Sequence, residues 1–263
     1  MPSHGAPPRQ VDRRRLLLGA CAWPCVGWAQ ASARIKIAAA SNLKFVLADL
    51  TSQYRQQTGM EVDVNLGASG NLARQILQGL PVEQFISADE ERVAELVKAG
   101  RTLDAGQRYA RGRLALVVPK NSALPLAQGV LAVVKAMKPG DKFAIANPAL
   151  APYGVAAQQV LQKSGAGPLG AHQLVLGENI GQATQFVATG AAQAGITALA
   201  LAKALELSAS LRYAPLPESW HAPLHQRMVL LQGASAAARD WQRFLLSPTA
   251  QAVFVQHGYG LPQ

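Results

Sequence analysis

Short apolar runs alternate with segments of helical period along the first half of the chain after residue 33. Short apolar runs bounded by turn residues predict strands, and apolar residues three or four positions apart predict helices. The pattern predicts three strand–helix pairs, with strands at 34–40, 61–68 and 84–88 and helices at 41–59, 71–79 and 90–100. Such a β-α-β-α-β-α series is typical of a parallel sheet with crossover helices.

A second series follows a longer apolar strand at 113–120. We therefore predict an α/β fold with two lobes, each a mostly parallel sheet flanked by helices. The first lobe is expected to comprise 32–112 plus 206–263, and the second lobe 113–205. The predicted strands of this half are 142–148, 173–178, 191–200, 213–217 and 228–233, and the predicted helices are 130–140, 154–165, 180–190, 236–247 and 248–258.

Four strand-to-helix junctions are rich in glycine, hydroxyl and amide side chains and hold few charges. In open parallel sheets, ligands bind beyond the carboxyl ends of the strands, where helices begin. The N–H groups at helix starts bind anions, so four junctions facing one cleft would hold a compact oxyanion without a full cation. Helix capping would explain each junction taken singly. The junctions are Ser41-Asn42, 67–71, 147–154 and 177–180.

Residues 1–31 have the pattern of an export signal. The arginines at 13–15 precede an apolar stretch that ends in small residues, and we expect cleavage after Ala31 or Ala33. The arginine run also resembles a twin-arginine signal, and the general secretory route stays open beside it. The mature protein is predicted to be a periplasmic monomer.

Composition narrows the function of the mature chain. Cys21 and Cys25 both lie in the predicted signal, so disulfides and thiolate metal sites are excluded after cleavage. Lipidation at Cys21 is disfavoured because only five residues separate it from Arg15. Of the formal charge of +10, the signal carries +3 and the mature chain +7. These cations are scattered, so nucleic-acid binding is not expected, whereas steering of a small anion agrees with the charge.

Five stretches carry a family resemblance: IAAASNLKFVLADL, GASGNLARQILQG, QFISADEERVAELV, NPALAPYGVAAQQVL and ENIGQATQFVATGAAQAGI. In this order they resemble the molybdate-binding proteins of bacterial ABC importers, and the similarity continues through PLPESWHAPLHQRMVLL. The resemblance implies a type II periplasmic binding protein fold that closes on a tetrahedral oxyanion. It also implies molybdate or tungstate as ligand, an inner-membrane permease as partner, no cofactor and no enzymatic activity.

The resemblance further implies which residues bind the oxyanion. Ser41 and Ser69 match hydroxyl donors of the first and second junctions. Asn42 matches an asparagine that one branch of the family uses. Ile180 occupies a position, usually valine, that donates its backbone N–H.

The sequence departs from the commoner branch of the family at one position. That branch takes a tyrosine from a G-x-x-Y segment, which here reads GITA and ends at Ala198. Tyr153 in the PYG turn is expected to replace the missing tyrosine, as in the asparagine-containing branch. Ala88 supplies an amide in the commoner branch, and whether it also contacts the ligand here stays open because Asn42 is expected to take that role.

Other functions stay open at this point. Sulfate, thiosulfate or phosphate would suit the same kind of pocket, because a sequence does not measure a cavity. A hydrolase using Ser69 is disfavoured, since the second glycine of G-x-S-x-G falls at Asn71 and no base is placed beside the serine. His221 and His225 have the spacing of a helical metal site, but Pro223 between them argues against a helix.

Overall fold

The computed structural model describes residues 1–5, 34–170 and 173–262. Residues 1–5 are exposed and have no regular secondary structure, and the rest of the predicted export signal, with both cleavage sites, lies outside the described residues. Two sheets form within one compact unit, Ser32–Gln263. None of the helices in the described ranges combines the length and apolar character that crossing a bilayer requires.

The described residues form ten strands and nine α-helices. The strands are β1 (Ile35–Ala40), β2 (Val62–Gly67), β3 (Gln84–Ile86), β4 (Gln107–Gly112), β5 (Leu114–Pro119), β6 (Phe143–Ala146), β7 (Leu174–Gly177), β8 (Ala194–Ala198), β9 (Leu211–Pro215) and β10 (Leu224–Leu230). The helices are α1 (Lys44–Thr58), α2 (Ser69–Leu77), α3 (Glu91–Lys98), α4 (Val130–Ala136), α5 (Pro152–Lys163), α6 (Ile180–Ala188), α7 (Leu199–Ala202), α8 (Ala236–Leu245) and α9 (Pro248–Gln256).

The first sheet has the strand order β2-β1-β3-β10-β4. Strand β1 lies between β2 and β3 and is parallel to both, while β10 is antiparallel to β3 and β4. The parallel strands are those of the three predicted strand–helix pairs. Their carboxyl ends, Ala40, Gly67 and Ile86, therefore lie at the same edge of the sheet.

The second sheet has the order β7-β6-β8-β5-β9 and repeats this arrangement. Strand β6 is parallel to β7 and β8, and β5 is antiparallel to β8 and β9. Residues 211–215 were expected in the first lobe, yet β9 pairs with β5, with Tyr213 opposite Val117. This part of the expected division is corrected: the chain leaves the second sheet only after Pro215, because β5 has a free edge that β9 covers.

Among the differences from the sequence prediction, one strand and two helix starts affect the position of the predicted site residues. Strand β4 was not predicted, because in QRYARG only Tyr109 and Ala110 are apolar, and its pairing with β10 determines its conformation. Helix α2 begins at Ser69 and helix α5 at Pro152, each two residues earlier than predicted. Proline suits the first helical position because it has no N–H to satisfy. The early starts place Ser69 and Tyr153 in first helical turns.

Two crossovers join the sheets, one between β4 and β5 and one between β9 and β10. Glu218, in the second crossover, forms ion pairs with Arg111 at 3.2 Å and with Arg113 at 3.0 Å. The two arginines flank Gly112, the last residue of β4, where the first crossover begins. The Glu218 carboxylate therefore links the two crossovers.

The chain ends on the first sheet. Trp241 of α8 is fully buried and meets the Tyr54 ring of α1 edge to face, with centroids 5.0 Å apart. Phe254 of α9 contacts the rings of Tyr109 and Tyr259, at 5.4 and 5.5 Å. These aromatic contacts hold the two tyrosines in the core beneath the strand ends of the first sheet.

Candidate functional site

The five residues predicted to bind an oxyanion are all enclosed. Ser41 is 7% exposed, Asn42, Ser69 and Tyr153 are each 1% exposed, and Ile180 is 3% exposed. Polar groups this deeply buried are expected to have hydrogen-bond partners. Their partners therefore define the site.

Ser41 joins the first sheet to the second. It begins a short 3-10 helix directly after β1, and its Oγ accepts a hydrogen bond from the backbone N–H of Gly181 at 3.2 Å. Gly181 is the second residue of α6, which follows β7. A Cβ on Gly181 would lie 3.5 Å from Ser41 Cβ, so the two helix starts are in close contact. The structure thus brings Ser41 and the Ile180 junction together.

The junction at 67–71 contacts the junctions at 147–154 and 177–180 through hydrogen bonds. The N–H of Gly70 donates to the Leu150 carbonyl at 3.0 Å, and Asn71 Nδ2 donates to Glu178 Oε1 at 2.6 Å. A Cβ on Gly70 would lie 2.9 Å from the Leu150 oxygen, so only glycine allows this approach. All four predicted junctions are therefore neighbours.

Ser69 is oriented by the strand beside it. Its Oγ accepts the backbone N–H of Ala88 at 3.0 Å. The Ala88 N–H is thus directed at Ser69. The Ser69 hydroxyl donates to no acceptor among the described residues, so its proton stays available to donate.

Tyr153 lies with its phenol against β10 and the first crossover. Its Oη accepts a hydrogen bond from Gln226 Nε2 at 3.0 Å. A Cβ on Gly112 would lie 2.6 Å from both of these atoms. The absence of a side chain at Gly112 therefore allows Gln226 and Tyr153 to form this contact. Burial raises the pKa of the Tyr153 phenol well above its usual value, so the phenol stays protonated and its proton can donate.

The side chain of Asn42 faces the protein interior. Its Nδ2 donates to Gln226 Oε1 at 3.2 Å and to Tyr259 Oη at 3.0 Å, which uses both N–H bonds. Tyr259 in turn donates to the backbone carbonyl of Asn42 at 2.8 Å. The Oδ1 atom of Asn42 is buried without a hydrogen-bond partner among the described residues. The Asn42 side-chain amide is therefore not a free donor.

Three residues of this network were not found from the sequence: Gln226, Tyr109 and Tyr259. Gln226 is fully buried and receives the Tyr109 hydroxyl at 2.7 Å in addition to Asn42. The signal that could have found it is its place between Leu224 and Met228 on the inward face of β10, where a glutamine interrupts an apolar alternation.

The backbone supplies further donors. The first N–H groups of a helix have no intrahelical acceptor. In α6 the N–H of Gly181 donates to Ser41 and that of Gln182 to Asn179 Oδ1, whereas the N–H of Ile180 has no acceptor among the described residues. The backbone N–H groups of Asn42 and Ser69 likewise have no acceptor within the described part of the chain.

The chemistry of the site is that of neutral donors. The hydrogen-bond partners of Ser41, Asn42, Ser69 and Tyr153 in the described ranges are all amides, hydroxyls or backbone groups. Within those ranges, no group of three or more His, Cys, Asp or Glu side chains is placed to hold a metal ion. His225 lies in β10 and His221 precedes that strand, so the two histidines do not share a helix face.

Comparisons with known proteins agree with this architecture. Residues 35–260 match the family model described as "Bacterial extracellular solute-binding protein". Two relatives are called molybdate-binding protein ModA. The one from Azotobacter vinelandii is 36% identical over 256 residues, covering 95% of this chain and 98% of the relative. The one from Rhodobacter capsulatus is 33% identical over 232 residues, covering 87% and 89%.

A solved structure shows the same fold. The periplasmic molybdate-binding protein of Azotobacter vinelandii superposes with a TM-score of 0.78 at 31% identity, covering 87% of this chain and all of that one. The predicted two-lobed fold and the predicted family resemblance are both confirmed. The chain belongs to the bacterial extracellular solute-binding protein family, in the group of its ModA relatives.

Proposed function

We propose that the protein captures molybdate, or the closely similar tungstate, outside the cytoplasm and delivers it to an ABC importer. One structural observation carries the chemistry of this proposal. The hydroxyl oxygens of Ser41, Ser69 and Tyr153 each accept an N–H from the protein. None of the three hydroxyls donates to an acceptor among the described residues, so each O–H proton is left to donate to a ligand. The names of the ModA relatives identify molybdate as the oxyanion.

We assign five donors to the oxyanion. They are the hydroxyls of Ser41, Ser69 and Tyr153 and the backbone N–H groups of Asn42 and Ile180. Asn42 is assigned through its backbone because both N–H bonds of its side chain are engaged. Ala88 is assigned the role of orienting Ser69, since its N–H is directed at the serine oxygen.

Neutral donors suit a doubly charged ligand in an enclosed site. A hydrogen bond to a charged group contributes about 1.5–3 kcal/mol, roughly twice a neutral one. Helices α2, α5 and α6 begin at the site, and the partial positive charge of their N-termini favours an anion. An oxyanion is thus stabilised without an arginine or lysine, and no cofactor is required.

The remaining functional assignments follow from the same proposal. We assign residues 1–31 to an export signal, the mature chain to the periplasm as a monomer, and the partner surface to an inner-membrane permease. The two lobes are placed at 32–112 plus 216–263 and at 113–215, with the boundary moved to keep β9 in its sheet. Hydrolysis, nucleic-acid binding and a resident metal have no part in this function.

Calorimetric titration of the mature protein with molybdate, tungstate, sulfate and phosphate tests the proposal. We expect molybdate and tungstate to bind in a 1:1 complex without added metal, and to bind more tightly than the other two anions. Moderate salt should have little effect, because the donors are enclosed and surface charges are not involved. Binding of sulfate or phosphate at least as tight as that of molybdate would overturn the assignment.

A further inference from the structure

Gln226 lies at an irregularity of the first sheet. Along the pairing of β10 with β4, Gln226 is opposite Ala110 and Arg227 is opposite Arg108, so Tyr109 is the extra residue of a β-bulge. Bulges redirect side chains and occur frequently beside functional sites. The bulge places the Tyr109 hydroxyl between two acceptors, Gln226 Oε1 at 2.7 Å and the backbone carbonyl oxygen of Ser87 at 2.9 Å, and its single proton is donated to one of them at a time.

We propose that Gln226 is a positioning residue that makes Tyr153 a hydrogen-bond donor toward the ligand. The proposal deepens the proposed function and rests on it. Gln226 acts through Tyr153 and does not itself contact the oxyanion. This role is supported by the order of donors and acceptors along the series of hydrogen bonds that leads from Asn42 to Tyr153.

The donor and acceptor roles in this series of hydrogen bonds are fixed at one end by a group that can only accept. The backbone carbonyl of Asn42 receives the Tyr259 hydroxyl at 2.8 Å, so the Tyr259 proton is committed there. The Tyr259 oxygen must then accept a hydrogen bond from Asn42, so Nδ2 of the Asn42 side chain faces Tyr259. That same Nδ2 faces Gln226, so the Gln226 carboxamide turns its oxygen toward Asn42.

The orientation of the Gln226 carboxamide determines its contact with Tyr153. With Oε1 toward Asn42, the carboxamide presents Nε2 to the Tyr153 oxygen at 3.0 Å. The Tyr153 oxygen is an acceptor in this contact, so its proton must be donated elsewhere. The backbone carbonyl of Asn42 thereby determines, through three side chains, the direction of the Tyr153 O–H bond.

This polarity matters for what the site binds. At the position that Tyr153 reaches, the ligand must present an acceptor oxygen, as every oxygen of a fully ionised oxyanion does. The network is buried, so reorienting Gln226 would place its Nε2 against Asn42 Nδ2, two donors without an acceptor between them, at a free-energy cost. Gly112 completes the arrangement, because any side chain there would separate Gln226 from Tyr153.

A double-mutant cycle tests the proposal. We expect Gln226→Met to raise the molybdate dissociation constant on the order of 10-fold, since the orientation of one charge-assisted hydrogen bond is lost. In the Tyr153→Phe background the same change should raise it by no more than about twofold, because independent effects add and shared effects do not. Equal effects of Gln226→Met in both backgrounds would overturn the proposal.

Two further variants separate positioning from folding. Gln84 is a second fully buried glutamine, on β3 of the same sheet, and its Nε2 donates to Gln242 at 3.1 Å. Gln84→Met is the matched control: it should lower the melting temperature and leave the dissociation constant unchanged. Gly112→Ala separates Gln226 from Tyr153 without removing either, and serves if Gln226→Met does not fold. It should weaken binding when Tyr153 is present and have no such effect in the Tyr153→Phe background.

The cycle also distinguishes this proposal from the proposed function. A wild-type protein that binds no molybdate overturns the proposed function, and the role of Gln226 falls with it. A wild-type protein that binds molybdate, together with an additive cycle, overturns only the role of Gln226.

Discussion

Ser41 Oγ and the backbone nitrogen of Gly181 are 3.2 Å apart, and their hydrogen bond joins a residue that follows the first sheet to a helix that follows the second. The serine oxygen accepts in this contact. Its proton is left for a ligand, while the first N–H of the same helix, that of Ile180, has no acceptor among the described residues. One serine therefore connects the first sheet to the helix start to which we assign an oxyanion donor.

Ser41→Ala should weaken molybdate binding by roughly 10- to 150-fold, because one hydrogen bond to a charged ligand is lost. Calorimetry measures the change. Ser52→Ala, an exposed substitution on α1, is the control and should leave the affinity unchanged. An affinity of Ser41→Ala equal to that of wild type would remove Ser41 from the ligand shell.

Ser69→Ala should weaken binding by a similar factor and also lower stability. The variant leaves the buried N–H of Ala88 without its acceptor, which costs about 1–3 kcal/mol in the free energy of unfolding. Denaturant titration of the ligand-free protein measures the stability and calorimetry the affinity. Loss of stability with unchanged affinity would limit Ser69 to a structural role.

Ile180 offers a test of a backbone donor. It is the first residue of α6, where proline is tolerated, and Asn179 before it is extended (φ −140°, ψ 173°), as a residue preceding proline requires. Ile180→Pro should therefore keep the helix and remove only the N–H, weakening binding by roughly 10-fold or more. Ile180→Ala is the matched control, since it also loses the buried side chain but keeps the N–H.

Ile180→Val completes this comparison. It should bind like wild type and lose about 0.5–1.5 kcal/mol of stability, because one buried methylene is removed. If Ile180→Pro and Ile180→Ala bind equally well, the N–H of Ile180 does not contact the ligand.

The four junctions could be predicted from the sequence because each depends on a local pattern. A strand that ends in small residues before a helical period is visible within about ten residues, and parallel strands bring such ends to one edge. The junctions that contain Ser41, Ser69, Tyr153 and Ile180 were located in this way. The resemblance to a known family supplied the donor roles of these residues, which the local pattern alone does not give.

The network behind the site could not be predicted, because its contacts join distant parts of the chain. Gln226 and Asn42 are 184 positions apart, and Tyr259 and Asn42 are 217 apart. Strand β4, which carries Tyr109, has too few apolar residues to predict a strand, and pairing with β10 determines it. The inward direction of the Asn42 side chain follows from these partners and not from its own position.

Tyr153→Phe should weaken molybdate binding by roughly 10- to 150-fold, since it removes the phenol proton that Gln226 leaves free. Tyr213→Phe, a partly exposed substitution on β9, is the control and should have no effect. Calorimetry at neutral pH is sufficient, because burial raises the pKa of the Tyr153 phenol and keeps it protonated. Equal affinities of Tyr153→Phe and wild type would mean that this tyrosine only packs the start of α5.

Glu90 links the stability of the first sheet to pH. Its Oε2 lies 2.8 Å from Arg108 Nη2, and its Oε1 lies 2.9 Å from Arg227 Nε. Hydrogen bonding from Arg108, reinforced by Arg227 and opposed by burial, lowers the pKa of Glu90 from 4.5 to about 2. A carboxyl group with a depressed pKa in the folded state stabilises the fold fully above its unfolded pKa, and this stabilisation is lost as the pH falls through the folded value.

Glu90→Gln should therefore lower the melting temperature at neutral pH, and the difference from wild type should shrink as the pH falls from about 4.5 to about 2. Thermal unfolding followed by circular dichroism across this range measures both effects. Glu206→Gln changes an exposed glutamate outside this cluster and should show no such convergence. Because Arg227 follows Gln226 on β10, a melting difference that stays constant down to pH 2 would mean that the Glu90 side chain supports the bulge through packing and not through its charge.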